Sequence, residues 1–98
     1  MKDYDLPCFD GRKSFYGKAR VLDDSEGNHL LKSYNTFVCI LRTDGMLIKL
    51  SPAATQTTRR HVRSFFALFN RTYPGNQAWD ELPLDTPVPL PAKGGAAV

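Results

Sequence analysis

The sequence predicts an α+β fold, in which a four-stranded antiparallel meander packs on one C-terminal helix in the order β-β-β-β-α. Short segments with period-two apolar alternation fill residues 14–50, as is typical of strands. The pair Asp44-Gly45 stands between two apolar runs, as in a tight hairpin. Residues 58–69 instead repeat their aromatic side chains at helical spacing. A chain of 98 residues has the size of one domain with a modest core.

The first predicted strand covers residues 14–22, where small or apolar side chains alternate with long basic ones. Gly17 marks a bulge or a close approach of another backbone. A polar turn follows at residues 23–28, with Gly27 available for positive φ. The three remaining strands are predicted at residues 29–34, 37–43 and 46–50.

Two turns separate these later strands. Ser33-Tyr34-Asn35-Thr36 is interpreted as a bulge or tight turn, because Asn tolerates the left-handed region. Asp44-Gly45 is interpreted as a two-residue hairpin turn in which both residues take positive φ. In the last strand, Lys49 is expected to point outward.

The helix is predicted from the apolar stripe in residues 58–69. Side chains spaced about 100° apart bring Val62, Phe65, Phe66 and Phe69 onto one face, which is expected to close the sheet. Thr55 is the favoured N-cap because its hydroxyl can accept from an orphan amide. The helix is expected to end near residues 70–73, ahead of Pro74-Gly75.

Three segments are expected along the chain. Residues 1–13 form an N-terminal arm, residues 14–82 form the single α+β domain, and residues 83–98 form a flexible tail. The tail is rich in Pro and Gly and lacks an apolar pattern of its own, which predicts disorder.

Composition limits the class of partner. The net charge is +3, and basic residues cluster at 12–20 and 57–75 without acidic neighbours. This pattern suits a polyanion or an acidic protein surface. The longest apolar run, 37–41, is far shorter than the roughly 20 residues of a membrane helix, and no secretory signal is visible. Cys8 and Cys39 have no metal spacing, so we expect reduced thiols in a cytoplasmic protein that binds no membrane.

The candidate binding residues come from three places in the sequence. One helix face carries three arginines with no acid at i±3 or i±4; arginine pairs bidentately with phosphate or carboxylate, whereas the alternative is a solvated face. The first strand offers aromatic and basic side chains, whose alternative role is ordinary cross-strand packing. The Ser33–Thr36 turn adds an aromatic ring and an amide. The candidates are Arg59, Arg60, Arg63, Lys18, Arg20, Tyr16, Tyr34 and Asn35.

The sequence contains no catalytic or metal-binding motif. His61, at the edge of the apolar face, is expected to hydrogen-bond a strand or turn, and His29 is expected to be an ordinary surface residue. Cys39 lies in an apolar strand that should bury it and leave it unreactive. We therefore expect neither an enzyme nor a cofactor or metal ion.

Three short motifs carry a resemblance to known proteins. They are Tyr-Gly-Lys-Ala at residues 16–19, Ser-Tyr-Asn-Thr at residues 33–36 and Thr-Thr-x-Arg-His at residues 57–61. With the apolar helix that follows, they resemble a group of small uncharacterised proteins encoded in bacterial genomes, phages and plasmids, over about residues 14–70. The resemblance implies a mobile-element setting without a settled activity. It also indicates a shared surface made by Tyr34, Asn35, Thr36, Thr58, Arg60 and His61.

The sequence favours a small non-enzymatic binding protein of a phage or other mobile element, which engages nucleic acid through the basic helix face and the first strand. The alternative is a protein–protein inhibitor of a host nucleic-acid-handling or defence complex, in the manner of an anti-CRISPR protein. A structural or assembly component is the third hypothesis. An exposed edge strand leaves a homodimer open.

Overall fold

The computed structural model describes residues 2–7, 17–52 and 55–89. Within these ranges the chain forms a six-stranded antiparallel sheet and two helices. The order of the strands in the sheet is the order of the strands in the chain. The elements are β1 (Lys2–Asp5), β2 (Ala19–Asp23), β3 (His29–Ser33), β4 (Thr36–Leu41), β5 (Met46–Lys49), α1 (Gln56–Leu68), α2 (Asn76–Glu81) and β6 (Pro87–Pro89).

The α+β class and the antiparallel meander are confirmed, whereas the prediction of four strands and one C-terminal helix is wrong. The two extra strands come from the segments assigned to the arm and the tail: β1 pairs with β2, and β6 pairs with β5. Neither has the alternating apolar pattern of a strand, since β1 reads Lys-Asp-Tyr-Asp and β6 reads Pro-Val-Pro. Both are edge strands, where charged residues and proline are tolerated. Residues 8–16, including Tyr16, and residues 90–98 lie outside the described residues.

The turns differ in detail from those expected. Of the pair Asp44-Gly45, only Gly45 has positive φ, and its N–H donates to the Arg42 carbonyl at 3.0 Å. The loop therefore has three residues, of which the last is left-handed, rather than two. In the β3–β4 turn, the left-handed residue is Tyr34, with φ of 55°, and not Asn35.

Helix α1 begins and ends with recognisable caps. Thr55 is the N-cap, as predicted, and its hydroxyl accepts from the Thr58 N–H. At the other end Asn70 is left-handed, with φ of 58°. The N–H groups of Asn70 and Arg71 donate to the carbonyls of Ala67 and Phe66, which is the pattern of a Schellman motif.

The core lies between one face of the sheet and the two helices. The aromatic side chains of α1 and α2 fill it, with Phe65, Phe66 and Trp79 fully buried. The sheet contributes a row in register across β2, β3, β4 and β5, made by Val21, Leu31, Cys39 and Lys49.

The prediction that Lys49 points outward is wrong. The residue is only 4% exposed. Its Nζ donates to the Trp79 carbonyl at 2.7 Å and lies 5.2 Å from the centre of the Trp79 ring. The Leu82 carbonyl is a second acceptor, at 3.4 Å. Lys49 therefore satisfies carbonyls at the end of α2, a partner that the strand sequence alone does not reveal.

Candidate functional site

The exposed side of α1 forms the first candidate surface, here called the arginine groove. It has a volume of about 350 Å³ and is lined by Gln56, Arg59, Arg63 and Asn76. Nη2 of Arg59 donates to both carboxylate oxygens of Asp80, at 2.7 and 3.0 Å. The acid is far from Arg59 in sequence and is brought to it by α2. Arg59 in the groove therefore has an acidic partner that i±3 and i±4 spacing could not indicate.

Arg63 also has neighbours on α2 and the segment before it. Its Nη2 donates to Oδ1 of Asn76 at 3.0 Å, and its guanidinium lies 5.2 Å from the centre of the Tyr73 ring. The Tyr73 hydroxyl donates to the same Asn76 oxygen. Arg60, the third candidate on the helix, is half-buried and lies close enough to His61 to affect its pKa. The three arginines are thus in three different environments rather than in one clamp.

Arg20, from the predicted first strand, is also neutralised. It lies on β2 and pairs with Asp3 at 2.7 Å and with Asp5, both from the neighbouring strand β1. The aromatic partner expected on the same strand, Tyr16, is outside the described residues. Of the two described residues of this candidate surface, Lys18 lies beside another predicted site residue, namely Tyr34.

The second candidate surface is a pocket between the β3–β4 turn and the beginning of α1, here called the motif pocket. Its volume is about 320 Å³. Five of its seven lining residues carry hydroxyl-bearing Ser or Thr side chains, and a sixth carries the Tyr34 phenol. The lining residues are Ser33, Tyr34, Thr36, Ser51, Pro52, Thr55 and Thr58.

A line of polar contacts leads from this pocket to a buried histidine. The Thr55 hydroxyl donates to the Thr58 hydroxyl at 2.9 Å, and Ser33 Oγ lies 3.5 Å from that oxygen. Ser33 Oγ is also 2.7 Å from Nδ1 of His61. Burial, together with the charge of Arg60, lowers the pKa of His61 from 6.5 to about 4. The imidazole is therefore neutral near pH 7, in the strand contact that the sequence predicted for it.

The Ser33–His61 pair has the distance of a hydroxyl hydrogen-bonded to a general base. Ser33 is only 2% exposed and His61 only 1%, so both groups lie behind the surface. The pair joins β3 to α1 and fixes the helix over the β3–β4 turn. This arrangement gives the sequence motifs a structural role in shaping the motif pocket.

All three sequence motifs meet at this place. The backbone N–H of Tyr34 donates to the Lys18 carbonyl at 2.6 Å, and Nζ of Lys18 lies 5.9 Å from the centre of the Tyr34 ring. The centre of the Tyr34 ring is also 5.9 Å from that of the His61 ring. Residues far apart in sequence thus form one surface.

A model of a family of unknown function (DUF8033) matches residues 5–81. The chain belongs to DUF8033. The matched range includes β2 to α2 and all three motifs. No curated protein and no solved structure matches the chain.

In this DUF8033 chain, two large aromatic rings are exposed beside the β3–β4 turn. Tyr34 is 51% exposed and Phe37 is 45% exposed. Each has a lysine near its ring: Lys18 at Tyr34, and Lys32 with its Nζ 5.6 Å from the centre of Phe37. Among the described residues, neither lysine forms an ion pair. We call these four residues, together with Asn35 in the turn, the cation–aromatic end of the sheet.

A separate cluster around His29 was not expected from the sequence. Nδ1 of His29 lies 2.6 Å from Asp23, and its ring stacks on Phe69 with centroids 3.7 Å apart. The Tyr4 hydroxyl donates to the same carboxylate, and burial together with Asp23 raises the pKa of Tyr4 to about 12. The signal that could have found this cluster is the cross-strand register of β1, β2 and β3, which no local pattern fixes.

Cys39 is fully buried, and burial raises the pKa of its thiol. Across residues 2–7, 17–52 and 55–89, no three His, Cys, Asp or Glu side chains come together as metal ligands would. In that same part of the chain, neither helix has the length and apolar character needed to cross a bilayer.

Proposed function

We propose that this protein is a small non-enzymatic, cytoplasmic binding protein of a phage or other mobile element, and that it engages single-stranded nucleic acid at the cation–aromatic end of the sheet. The observation that carries the proposal is the pairing of each exposed ring with a lysine, Lys18 with Tyr34 and Lys32 with Phe37. The charge pattern of the sequence favours nucleic acid as the partner. The surface proposed for it is this end of the sheet and not the arginine groove.

The chemistry of the pairs matches that of a single strand. Exposed rings offer platforms on which unpaired bases stack, and adjacent ammonium groups attract phosphates. Asn35, exposed in the turn between the rings, adds an amide that can hydrogen-bond a base edge. Stacking tolerates any base, so the expected binding is weakly dependent on sequence.

The arginines take a smaller part in this proposal. Arg59 and Arg20 already pair with carboxylates, so a phosphate would have to displace Asp80 or Asp3 to reach them. Arg63 faces solvent beside Asn76 and is placed to extend a phosphate path along α1. The cation–aromatic end therefore supplies the primary contacts, and the arginine groove supplies secondary ones.

Fluorescence anisotropy with labelled single-stranded DNA, single-stranded RNA and duplex DNA tests the proposal. We expect the single strands to bind more tightly than the duplex at low salt. Replacing both lysines, Lys18→Ala with Lys32→Ala, should flatten the slope of log K against log salt by about 1.4, because each phosphate contact to a single strand contributes about 0.7. Loss of one stacked base in Tyr34→Asn should weaken binding by about 5- to 150-fold, which corresponds to about 1–3 kcal/mol.

The matched controls separate this surface from general charge. Lys2→Ala with Arg42→Ala removes the same net charge at the opposite end of the sheet, and should leave the slope almost unchanged. Tyr34→Phe keeps the ring and should bind like the wild type, while Asn at this position accepts the left-handed backbone. If no oligonucleotide binds at low salt, or if the control pair weakens binding as much as the lysine pair, the proposal is refuted.

A second function is favoured by a different observation. The edge strand β1 presents Asp3 and Asp5, which are 53% and 66% exposed although both pair with Arg20, in a short row that resembles successive phosphates. This arrangement suits an inhibitor that occupies the nucleic-acid site of a host defence or nucleic-acid-handling complex. Capture from nuclease-treated host lysate distinguishes the two functions, since a protein target is retained without nucleic acid. Under this alternative, Asp3→Asn with Asp5→Asn would release the captured protein, whereas Tyr34→Asn would not.

A further inference from the structure

The sheet face opposite the helices carries an apolar row. Alternation along the strands places Leu22, Leu30, Ile40 and Ile48 on this face, directly beside one another across β2, β3, β4 and β5. Their neighbours in sequence, such as Val21 and Leu31, point into the core instead. None of the four belongs to the core cluster or to the partly buried side chains that pack against it.

No described element covers this row. Both helices lie on the other face, where Phe65, Phe66 and Trp79 belong to the same buried cluster as Val21 and Leu31. Met46 lies two residues before Ile48 on the same face, and the register shift in β3–β4 places Phe37 opposite Lys32, which shares the outward face with Leu30, so both residues extend the apolar surface. An apolar surface of this kind, bounded by polar residues, commonly marks an interaction site.

We propose that the apolar row is the interface of a homodimer, in which the outer faces of two sheets pack on each other. This inference does not rest on the proposed nucleic-acid function, although Phe37 and Lys32, beside the row, also belong to the cation–aromatic end. The first argument for a second copy is charge. The rim of the face carries as many cations as acids, which suits a surface that meets itself and does not suit a polyanion. The rim residues are Arg20, Lys32 and Arg42 with Asp3, Asp5 and Asp44.

The edge strands of the sheet are poorly suited to form a dimer by pairing with the edge strands of a second copy. Edge-to-edge pairing needs free N–H groups on a regular strand. Strand β6 contains Pro87 and Pro89, which have no N–H, and β1 carries two acids that would repel their copies across a two-fold axis. Self-association is therefore directed to the face and away from the edge strands.

The size of the face sets the expected affinity. Six strands of three to six residues, spaced about 4.8 Å apart with a rise of about 3.3 Å per residue, give roughly 430 Å² per copy. Two copies would bury roughly 860 Å², which is in the range of weak, transient interfaces. We therefore expect a reversible dimer that forms at micromolar concentrations and not an obligate one.

Sedimentation velocity on the full chain, from roughly 1 to about 300 µM, tests this proposal across the range expected for weak dimers. The wild type should move from the mass of one chain to that of two as concentration rises. Ile40→Glu places a charge at the centre of the row and should shift the midpoint by at least tenfold. Leu84→Glu is the matched control, because this exposed leucine lies next to Lys49 and off the row; it should leave the midpoint unchanged.

A second variant guards against loss of folding. Leu30→Lys should also abolish the dimer, and mixing it with Ile40→Glu should restore association, because opposite charges then meet across the interface. Circular dichroism establishes that each variant is folded. Tyr34→Asn should leave the wild-type midpoint intact, which separates this interface from the nucleic-acid surface. If the wild type stays monomeric at the highest concentration, or dimerises equally with Ile40→Glu, the proposal is overturned, and the row is then free for a different protein.

Discussion

The buried contact between His61 and Ser33 predicts that mild acid destabilises this fold. His61 is 1% exposed, its Nδ1 lies 2.7 Å from Ser33 Oγ, and burial with the nearby Arg60 lowers its pKa from 6.5 to about 4. Above the higher of these pKa values the imidazole is neutral in both the folded and the unfolded chain. Between the two values the unfolded chain binds a proton that the folded chain does not, so the free energy of unfolding falls as pH falls.

The size of the effect follows from the two pKa values. A difference of one unit corresponds to about 1.4 kcal/mol. Going from about pH 7.5 to about pH 5 should therefore lower the free energy of unfolding by about 2 kcal/mol through His61 alone. With a urea m value of about 1–2 kcal/mol/M, the midpoint should move by roughly 1–2 M. The loss is complete only below the folded-state pKa of about 4.

Urea unfolding followed by the fluorescence of Trp79, at several pH values, measures this dependence. His61→Gln removes the titrating group while keeping an amide that can contact Ser33, so its stability should vary less with pH by the same 2 kcal/mol or so. His29→Gln is the control histidine variant, and it should keep the loss of unfolding free energy that His61 causes in the wild type. If His61→Gln and the wild type lose stability in parallel as pH falls, or if NMR shows His61 titrating near its ordinary value, the reasoning is refuted.

Three further changes test the packing. Phe65→Ala should cost about 3–5 kcal/mol in chemical denaturation, because the ring is fully buried; a loss below about 1 kcal/mol would contradict its place in the core. Lys49→Met removes the ammonium donor from the carbonyls of Trp79 and Leu82, of which the Trp79 carbonyl keeps the Leu82 N–H, and should cost about 1–3 kcal/mol with a shift of Trp79 emission; an unshifted spectrum would argue against the contact. Gly27→Ala should lower the melting temperature by several degrees, since φ is +89° and the new Cβ would lie 2.9 Å from Thr43 Cγ2; an unchanged melting temperature would show that the loop adapts.

Local patterns in the sequence predicted the elements whose conformation depends on residues nearby in the chain. Helix α1 follows from its apolar stripe and from the Thr55 cap, and β3, β4 and β5 follow from alternation between turns. Strands β1 and β6 could not be predicted in this way. A sequence such as Lys-Asp-Tyr-Asp or Pro-Val-Pro has no strand propensity of its own, and it is extended here because a neighbouring strand offers a ladder.

The candidate site was harder to predict, because ion pairs and hydrogen bonds between residues far apart in sequence decide which charged side chains can meet a ligand. Arg59 had no acid within a helical turn, yet α2 brings Asp80 to it. A single lysine in an otherwise apolar strand is expected to point to solvent, yet the carbonyls at the end of α2 hold Lys49 inside. The convergence of Lys18, Tyr34 and His61 likewise depends on the register of β2 with β3 and on the docking of α1, which spacing in the sequence does not encode.

The meander order of the strands has a consequence for the route by which this chain folds. Because every strand lies beside its neighbours in sequence, most sheet contacts close short loops, and such topologies fold faster than sheets with distant pairings. The hairpins of β2 to β5 can form before α2 leaves the ribosome, but the carbonyls of Trp79 and Leu82 are then not in place to accept from Lys49. We expect an early sheet that is incompletely packed. The last cooperative step of folding is then the docking of Trp79 over Lys49, so Trp79 fluorescence should report the slowest phase of refolding.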